Sequence, residues 1–268
     1  MTLGDRNPPT AVQRSMRRKR LALRAVLWGV PMAGAFVVVC LLDRSIFLTV
    51  KSDVLLGMSE EAVGTRDWYQ FLRQVGYLPS WIAVACALMG YGIMRQRERA
   101  RHGMRFNIHA ALRPGLAVFF AAGLSGLAAE ILKDVIRRHR PIPDGPNAGG
   151  YAFDWFGHGI EGLGMGLPSS HAAVAFGGAF MLAYTYPGTR LVVLTLACGC
   201  AFTRLLAGAH FASDVFLAVL VSYAVAWMLR GLVRSVAMEA DLLLTDGPGL
   251  GAWASRSTGV RRARGLRH

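Results

Sequence analysis

Six long apolar runs, each close to the length of a bilayer-crossing helix, constrain this 268-residue chain more than any other feature. They fall near residues 22–42, 76–94, 114–132, 171–187, 190–208 and 212–230, and a helix needs about 20 apolar residues to cross a hydrocarbon core. Backbone groups in lipid must find partners within their own segment, so each run is expected to be helical. Composition agrees: 17% of the residues are charged and mean hydropathy is +0.36, whereas a soluble domain carries about 25% charged residues. The expected fold class is all-α, a polytopic bundle of six transmembrane helices.

A net charge of +14 would suit a nucleic-acid binder, but its distribution does not. The basic residues gather between the apolar runs rather than along one stripe, which is the pattern of membrane topology. Counting Arg24 and Arg230 with the flanks they adjoin, 21 Lys and Arg lie on the side of the N-terminus and eight on the other. The positive-inside bias then puts both termini in the cytoplasm, and no nucleic-acid partner is expected. The chain divides into a basic disordered arm at 1–20, a membrane domain at 21–235 and a basic cytoplasmic tail at 236–268. Only three of the thirty basic residues are Lys, which points to a high-GC, bacterial genome and an inner-membrane location.

Ala33, Gly34 and Ala35 resemble a signal-peptidase site, but the uncharged stretch from Ala25 to Leu42 is 18 residues long. That is enough to remain as an anchor. Cys40, Cys86, Cys198 and Cys200 all sit inside apolar runs and read as small hydrophobes rather than metal ligands or disulfides. The loop at 43–75 mixes aromatic and charged residues and is expected to lie along the interface. Small residues such as Ala121, Ser125, Ala129, Ala175, Gly178 and Ala179 are expected at helix contacts.

Three polar clusters break the apolar pattern, and alternation of the spans puts all three on the outer face. The first is KDVIRRHRP, from Lys133 to Pro141; the second is Pro168-Ser169-Ser170-His171; the third is TRLLAGAHFASD, from Thr203 to Asp214. Lys133, Arg140 and Arg204 offer positive charge and donors suited to phosphate oxygens. Ser169 and Ser170 precede an apolar helix, whose first free amides make an anion site. Asp214 follows His210 by four residues, so a helix puts both on one face and the carboxylate can hold the imidazole's tautomer. His210 is therefore the expected nucleophile and His171 the expected general acid and base.

These residues carry a family resemblance. Lys133, six residues, Arg140-Pro141; then Pro168-Ser169-Ser170-His171; then Arg204, five residues, His210, three residues, Asp214 is similar to the motif set of the type 2 phosphatidic acid phosphatase superfamily. The resemblance spans residues 114–230. It implies a six-helix bundle and a phosphatase that uses no metal and no cofactor, with the catalytic and phosphate-binding roles just given. Ser170 stands where that family most often has Gly, and Thr203 where it most often has Ser.

Plainer roles compete for neighbouring residues. Glu130 lies one turn before Lys133 and is expected as its ion-pair partner. Arg137 and Arg138 could anchor the chain at the interface or add charge for a diphosphate. His139 and His158 share the outer face without belonging to a motif, and His102, His109 and His268 are expected in solvent. Gly162, Gly164 and Gly166 read as a flexible approach to the fourth span.

The expected function is metal-independent hydrolysis of a lipid phosphate or diphosphate at the periplasmic face. Expected substrates are undecaprenyl diphosphate, phosphatidic acid, phosphatidylglycerophosphate or a lipid A phosphate. A lipid phosphotransferase, a vanadate-using haloperoxidase and a non-catalytic lipid-binding or transport protein are the alternatives.

Overall fold

A computed structural model describes residues 11–155 and 164–245; Gly162, His158 and His268 lie outside the described residues. The described chain is all-helical, with no strand beyond two isolated bridges, Arg138 with Phe153 and His139 with Met165. The helices are α1 (Ala11–Val50), α2 (Ser52–Leu55), α3 (Glu60–Gly64), α4 (Asp67–Gln74), α5 (Leu78–Arg101), α6 (Ile108–Ile136), α7 (Ser170–Thr185), α8 (Arg190–Leu206) and α9 (Ala212–Thr245). α1 begins at Ala11 and α9 runs to Thr245, so helix continues into the segments read as disordered arm and tail.

Among the described residues, five helical stretches are long and apolar enough to cross a membrane: Leu27–Val50, Leu78–Arg101, Ile108–Ile136, Pro187–Leu206 and Ala212–Gly231. The expected span at 171–187 corresponds to α7, which has only 16 residues and is about 24 Å long at 1.5 Å per residue. That falls short of a bilayer core of about 30 Å. The chain leaves the helix at Tyr186, whose φ of −128° and ψ of 86° precede Pro187, and a residue before proline is pushed out of the helical region.

α7 lies at the centre of the bundle, packed against α6, α8 and α9. From Ala172 to Ala179 it is buried throughout. Small side chains permit this, because close backbone approach is what holds helices together in lipid. A Cβ at Gly177 would meet the Ser125 Oγ of α6 at 2.4 Å, and one at Gly178 would meet the Trp81 ring of α5 at 2.3 Å. Ala121, Ser125 and Ala129 on α6 are fully buried against the same core. α5 and α6 meet backbone to backbone: a Cβ at Gly92 would lie 2.2 Å from the Ala111 carbonyl oxygen, and one at Gly115 2.5 Å from that of Ala85.

The outer helices expose their apolar faces. Only 11% of the membrane window of α1 and of α5 is buried, against 39% for α6, and Leu41, Met94, Leu191 and Met228 stand in the open. Contiguous apolar surface on this scale marks contact with lipid. The 43–75 segment is largely helical: α1 extends to Val50, α2 to α4 follow, and α4 packs on α8.

Gly92→Val is expected to destabilise the protein, because a carbonyl of the backbone cannot step aside as a side chain would. Overpacking of this kind costs about 1–3 kcal/mol. Thermal unfolding in detergent should show a lower midpoint for Gly92→Val and little change for Gly90→Val, whose Cβ site is open.

Candidate functional site

The three polar clusters meet where α6 ends, α7 begins, α8 ends and α9 begins. The Ser169 amide donates to the Asp214 carbonyl at 3.1 Å, which ties the start of α7 to the start of α9. Lys133 Nζ donates to Ser170 Oγ and, at 3.0 Å, to Glu130 Oε1. The Ser170 hydroxyl in turn donates to Glu130. Glu130 is thus the ion-pair partner the sequence suggested, and Ser170 is already engaged by both. Ser169 is fully buried, and its Oγ accepts from the Ala172 amide at 3.5 Å as the cap of α7.

His210 and Asp214 form a buried pair, 3% and 0% exposed, with His210 Nδ1 3.2 Å from Asp214 Oδ2. The same oxygen accepts from the Phe211 amide at 2.8 Å. A third-position acid reaching back to a helix's first amide fixes the start of that helix, so Asp214 organises both its helix and the imidazole. With Nδ1 turned to the carboxylate, Nε2 is the ring nitrogen left for chemistry. Burial pushes the His210 pKa below its ordinary 6.5, and the attraction of Asp214 only partly opposes this.

Around His210 the charge is strongly positive. Arg204 and Arg140 act on it electrostatically, and His171 feels Arg204, His210, Arg73 and Lys133. Arg204 is 6% exposed. Arg204 Nε, Arg140 Nε and His171 Nε2 are buried donors or acceptors with no hydrogen-bond partner among the described residues. Leaving such groups unmatched is costly, so a site of this kind calls for a polar ligand. The His171 ring stands edge-on to Tyr77 with centroids 4.8 Å apart.

Arg138 departs from its expected role as an extra cation for substrate. It is 3% exposed, and its Nη2 donates to Asp214 Oδ1 at 2.5 Å and to Ser213 Oγ at 2.7 Å. Arg137 differs too. It closes α6 in a left-handed conformation, φ 56°, and pairs with Asp154 at 3.1 Å. Gly164 and Gly166 are tightly held rather than flexible: Gly164 O accepts from the Arg140 amide and the Gly166 amide donates to Arg138 O. A Cβ at Gly166 would come within 3.2 Å of Asp214 Oδ2. His139 is buried at 4%, while His102 and His109 are exposed. No group of three His, Cys, Asp or Glu side chains suited to a metal ion occurs among the described residues.

Sequence reasoning missed Arg138 as an internal counter-ion, Arg73 and Tyr77 as neighbours of His171, and Asp43 altogether. Asp43 is 1% exposed and reaches Ser213 from α1. The one available signal was a carboxylate that abruptly ends the first uncharged run.

Removing Arg138 strands two buried carboxylates, whereas Arg137 leaves a partly exposed pair. Arg138→Met should cost about 3–5 kcal/mol and Arg137→Met less than about 1 kcal/mol, as read from denaturant unfolding in detergent.

The PAP2 superfamily model matches residues 114–236. A lipid A 1-phosphatase of Rhizobium johnstonii (strain DSM 114642 / LMG 32736 / 3841) is 32% identical over 111 residues, which cover 38% of this chain and 40% of that protein. The chain therefore spans well under half the length of the curated relative it matches. No solved structure matches the chain.

Proposed function

With residues 114–236 a domain of the PAP2 superfamily, we propose that this protein hydrolyses the phosphoester or diphosphate of a membrane lipid through a phosphohistidine at His210. The carrying observation is the set of buried, unmatched groups Arg140 Nε, Arg204 Nε and His171 Nε2 beside the His210–Asp214 pair. A phosphoryl group supplies the oxygens these donors need, and Lys133 adds charge beside Ser170. Ser169 contributes the capped start of α7, whose amides favour an anion.

In the proposed reaction His210 Nε2 attacks phosphorus, forming the N–P bond as the ester P–O bond breaks. Asp214 accepts the Nδ1 proton in a hydrogen bond and stabilises the ring as it gains charge. His171 gives its proton to the departing alkoxide. It then takes one from the water that attacks the phosphohistidine, which releases inorganic phosphate and restores both imidazoles. Arg140 and Arg204 hold the equatorial oxygens, where charge accumulates. The bound phosphate brings negative charge into the cationic surroundings of His171, which favours a proton on its ring.

The helix ends that carry the site lie together at one end of the bundle, which suits a phosphate held at the headgroup level of the membrane. We place that end in the periplasm of a bacterial inner membrane and both termini in the cytoplasm, from the 21-to-eight charge bias. α7 then completes six crossings, its short length tolerated because its neighbours, not lipid, surround it. Among undecaprenyl diphosphate, phosphatidic acid, phosphatidylglycerophosphate and lipid A phosphate, the Rhizobium relative favours testing lipid A phosphate first. Transfer of the phosphoryl group to a second lipid uses the same intermediate and is distinguished by product analysis.

His210→Ala and His171→Ala should each abolish phosphate release from detergent-solubilised lipid phosphates, with EDTA without effect. Inhibition by EDTA that added metal reverses would sink the mechanism. Because attack needs neutral His210 and burial lowers its pKa, the nucleophile stays neutral as pH falls. The acid limb of kcat/KM belonging to His210 should therefore lie below 6.5, as a pH–rate profile checks.

A further inference from the structure

Asp214 satisfies the Phe211 amide, but α9 has no acceptor of its own for the Ser213 amide. The residue before α9 is Phe211, whose side chain has no acceptor for the first free amides of the helix. The acceptor comes from another helix: Asp43 Oδ1, near the outer end of α1, takes the Ser213 amide at 2.8 Å, and Asp43 Oδ2 takes the Ser213 hydroxyl. Tyr151 donates its phenol to the same Oδ2 at 2.7 Å. Arg138 Nη1 lies 3.9 Å from Asp43 Oδ2, while its Nη2 grips Asp214. One guanidinium, 3% exposed, thus stands between two carboxylates that are 1% and 0% exposed.

The charge arithmetic of this cluster bears on His210. A lone Arg138–Asp214 pair would be neutral. Adding Asp43 leaves the trio with one net negative charge, buried where Asp214 also meets the His210 ring. Cations act on His210 in the opposite sense, among them Arg204 and Arg140, and His171 lies close enough to interact with it. Tyr151 steadies the arrangement: its ring lies 4.9 Å from the Arg138 guanidinium. Burial and the bond to Asp43 raise its phenol pKa, so it remains a donor throughout the working range.

We propose that Asp43 is a positioning residue of the reaction centre, capping α9 from α1 and sharing Arg138 with Asp214 so that Asp214 keeps charge to spend on His210. Asp43 lies outside the matched residues 114–236, so the first helix contributes to the centre. The effect on catalysis rests on the phosphohistidine reading, but the electrostatic coupling does not and can be measured without substrate.

The test is an NMR titration of the full-length protein in detergent micelles with labelled histidine, the His210 signal assigned by its loss in His210→Ala. Asp43→Asn keeps an oxygen to cap the Ser213 amide and removes the charge, while setting an amide NH2 where Oδ2 accepts from the Ser213 hydroxyl and Tyr151. It should move the His210 midpoint down by about 0.5–1 pH unit, less than a contacting charge would give. Tyr151→Phe alters a partly exposed side chain and keeps every charge. With its donor gone, Asp43 draws Arg138 from Asp214, and the midpoint should move up. In turnover, Asp43→Asn should lower kcat by about tenfold, with KM for the lipid phosphate within about twofold. A His210 midpoint unmoved in both variants overturns the proposal, and Tyr151→Phe decides alone if Asp43→Asn does not fold. A parent protein that titrates as described yet releases no phosphate would instead overturn the phosphatase reading.

Discussion

A guanidinium removed from water must be met by an anion, and the architecture of this protein follows from how that demand is met at one end of a helix bundle. Arg138 is answered from within, by Asp214 and Asp43. The Nε atoms of Arg138, Arg140 and Arg204 are all buried without a partner among the described residues, but only Arg138 of the three has carboxylates against its Nη atoms there. The first arrangement builds the scaffold, since breaking it would strand charges in a medium that screens them poorly. The second leaves binding capacity for a ligand. A few residues along the chain, the same side-chain type serves opposite purposes, and only the location of the carboxylates separates them.

Helix ends make this arrangement possible. Four of them converge, and each brings unsatisfied backbone groups that need partners. Asp214 accepts from the Phe211 amide while facing His210, Ser169 caps α7 while its amide bonds to Asp214 O, and Asp43 completes the start of α9. Structural capping and the proposed chemistry therefore use the same atoms. The short central helix α7 suits this design, because its many Ala and Gly residues let three neighbours bring their ends close.

Much of the site was readable before the fold. Lys133, Arg140, Ser169, Ser170, His171, Arg204, His210 and Asp214 announce themselves as polar residues at the ends of apolar runs, where hydrocarbon makes idle charge expensive. Their surroundings were less legible. Arg138 sits in the same basic stretch as Arg140, with nothing local to separate a counter-ion from a ligand-facing cation. Asp43 looked like an ordinary interfacial charge. Gly166 looked loose because closeness to Asp214 is a property of packing, not of spacing.

Periodicity and hydrophobic length by themselves determined that this chain is helical and rich in membrane-crossing segments, because lipid permits few other solutions. The motif residues and their order were likewise set at that level. Only the tertiary structure decided which charge meets which, since Asp43 and Ser213 are 170 residues apart and their pairing depends on where α1 lies against α9. It also decided that α7 is the buried axis, because the helices that surround it come from other stretches of the chain, whereas its stop at 16 residues follows locally from Pro187.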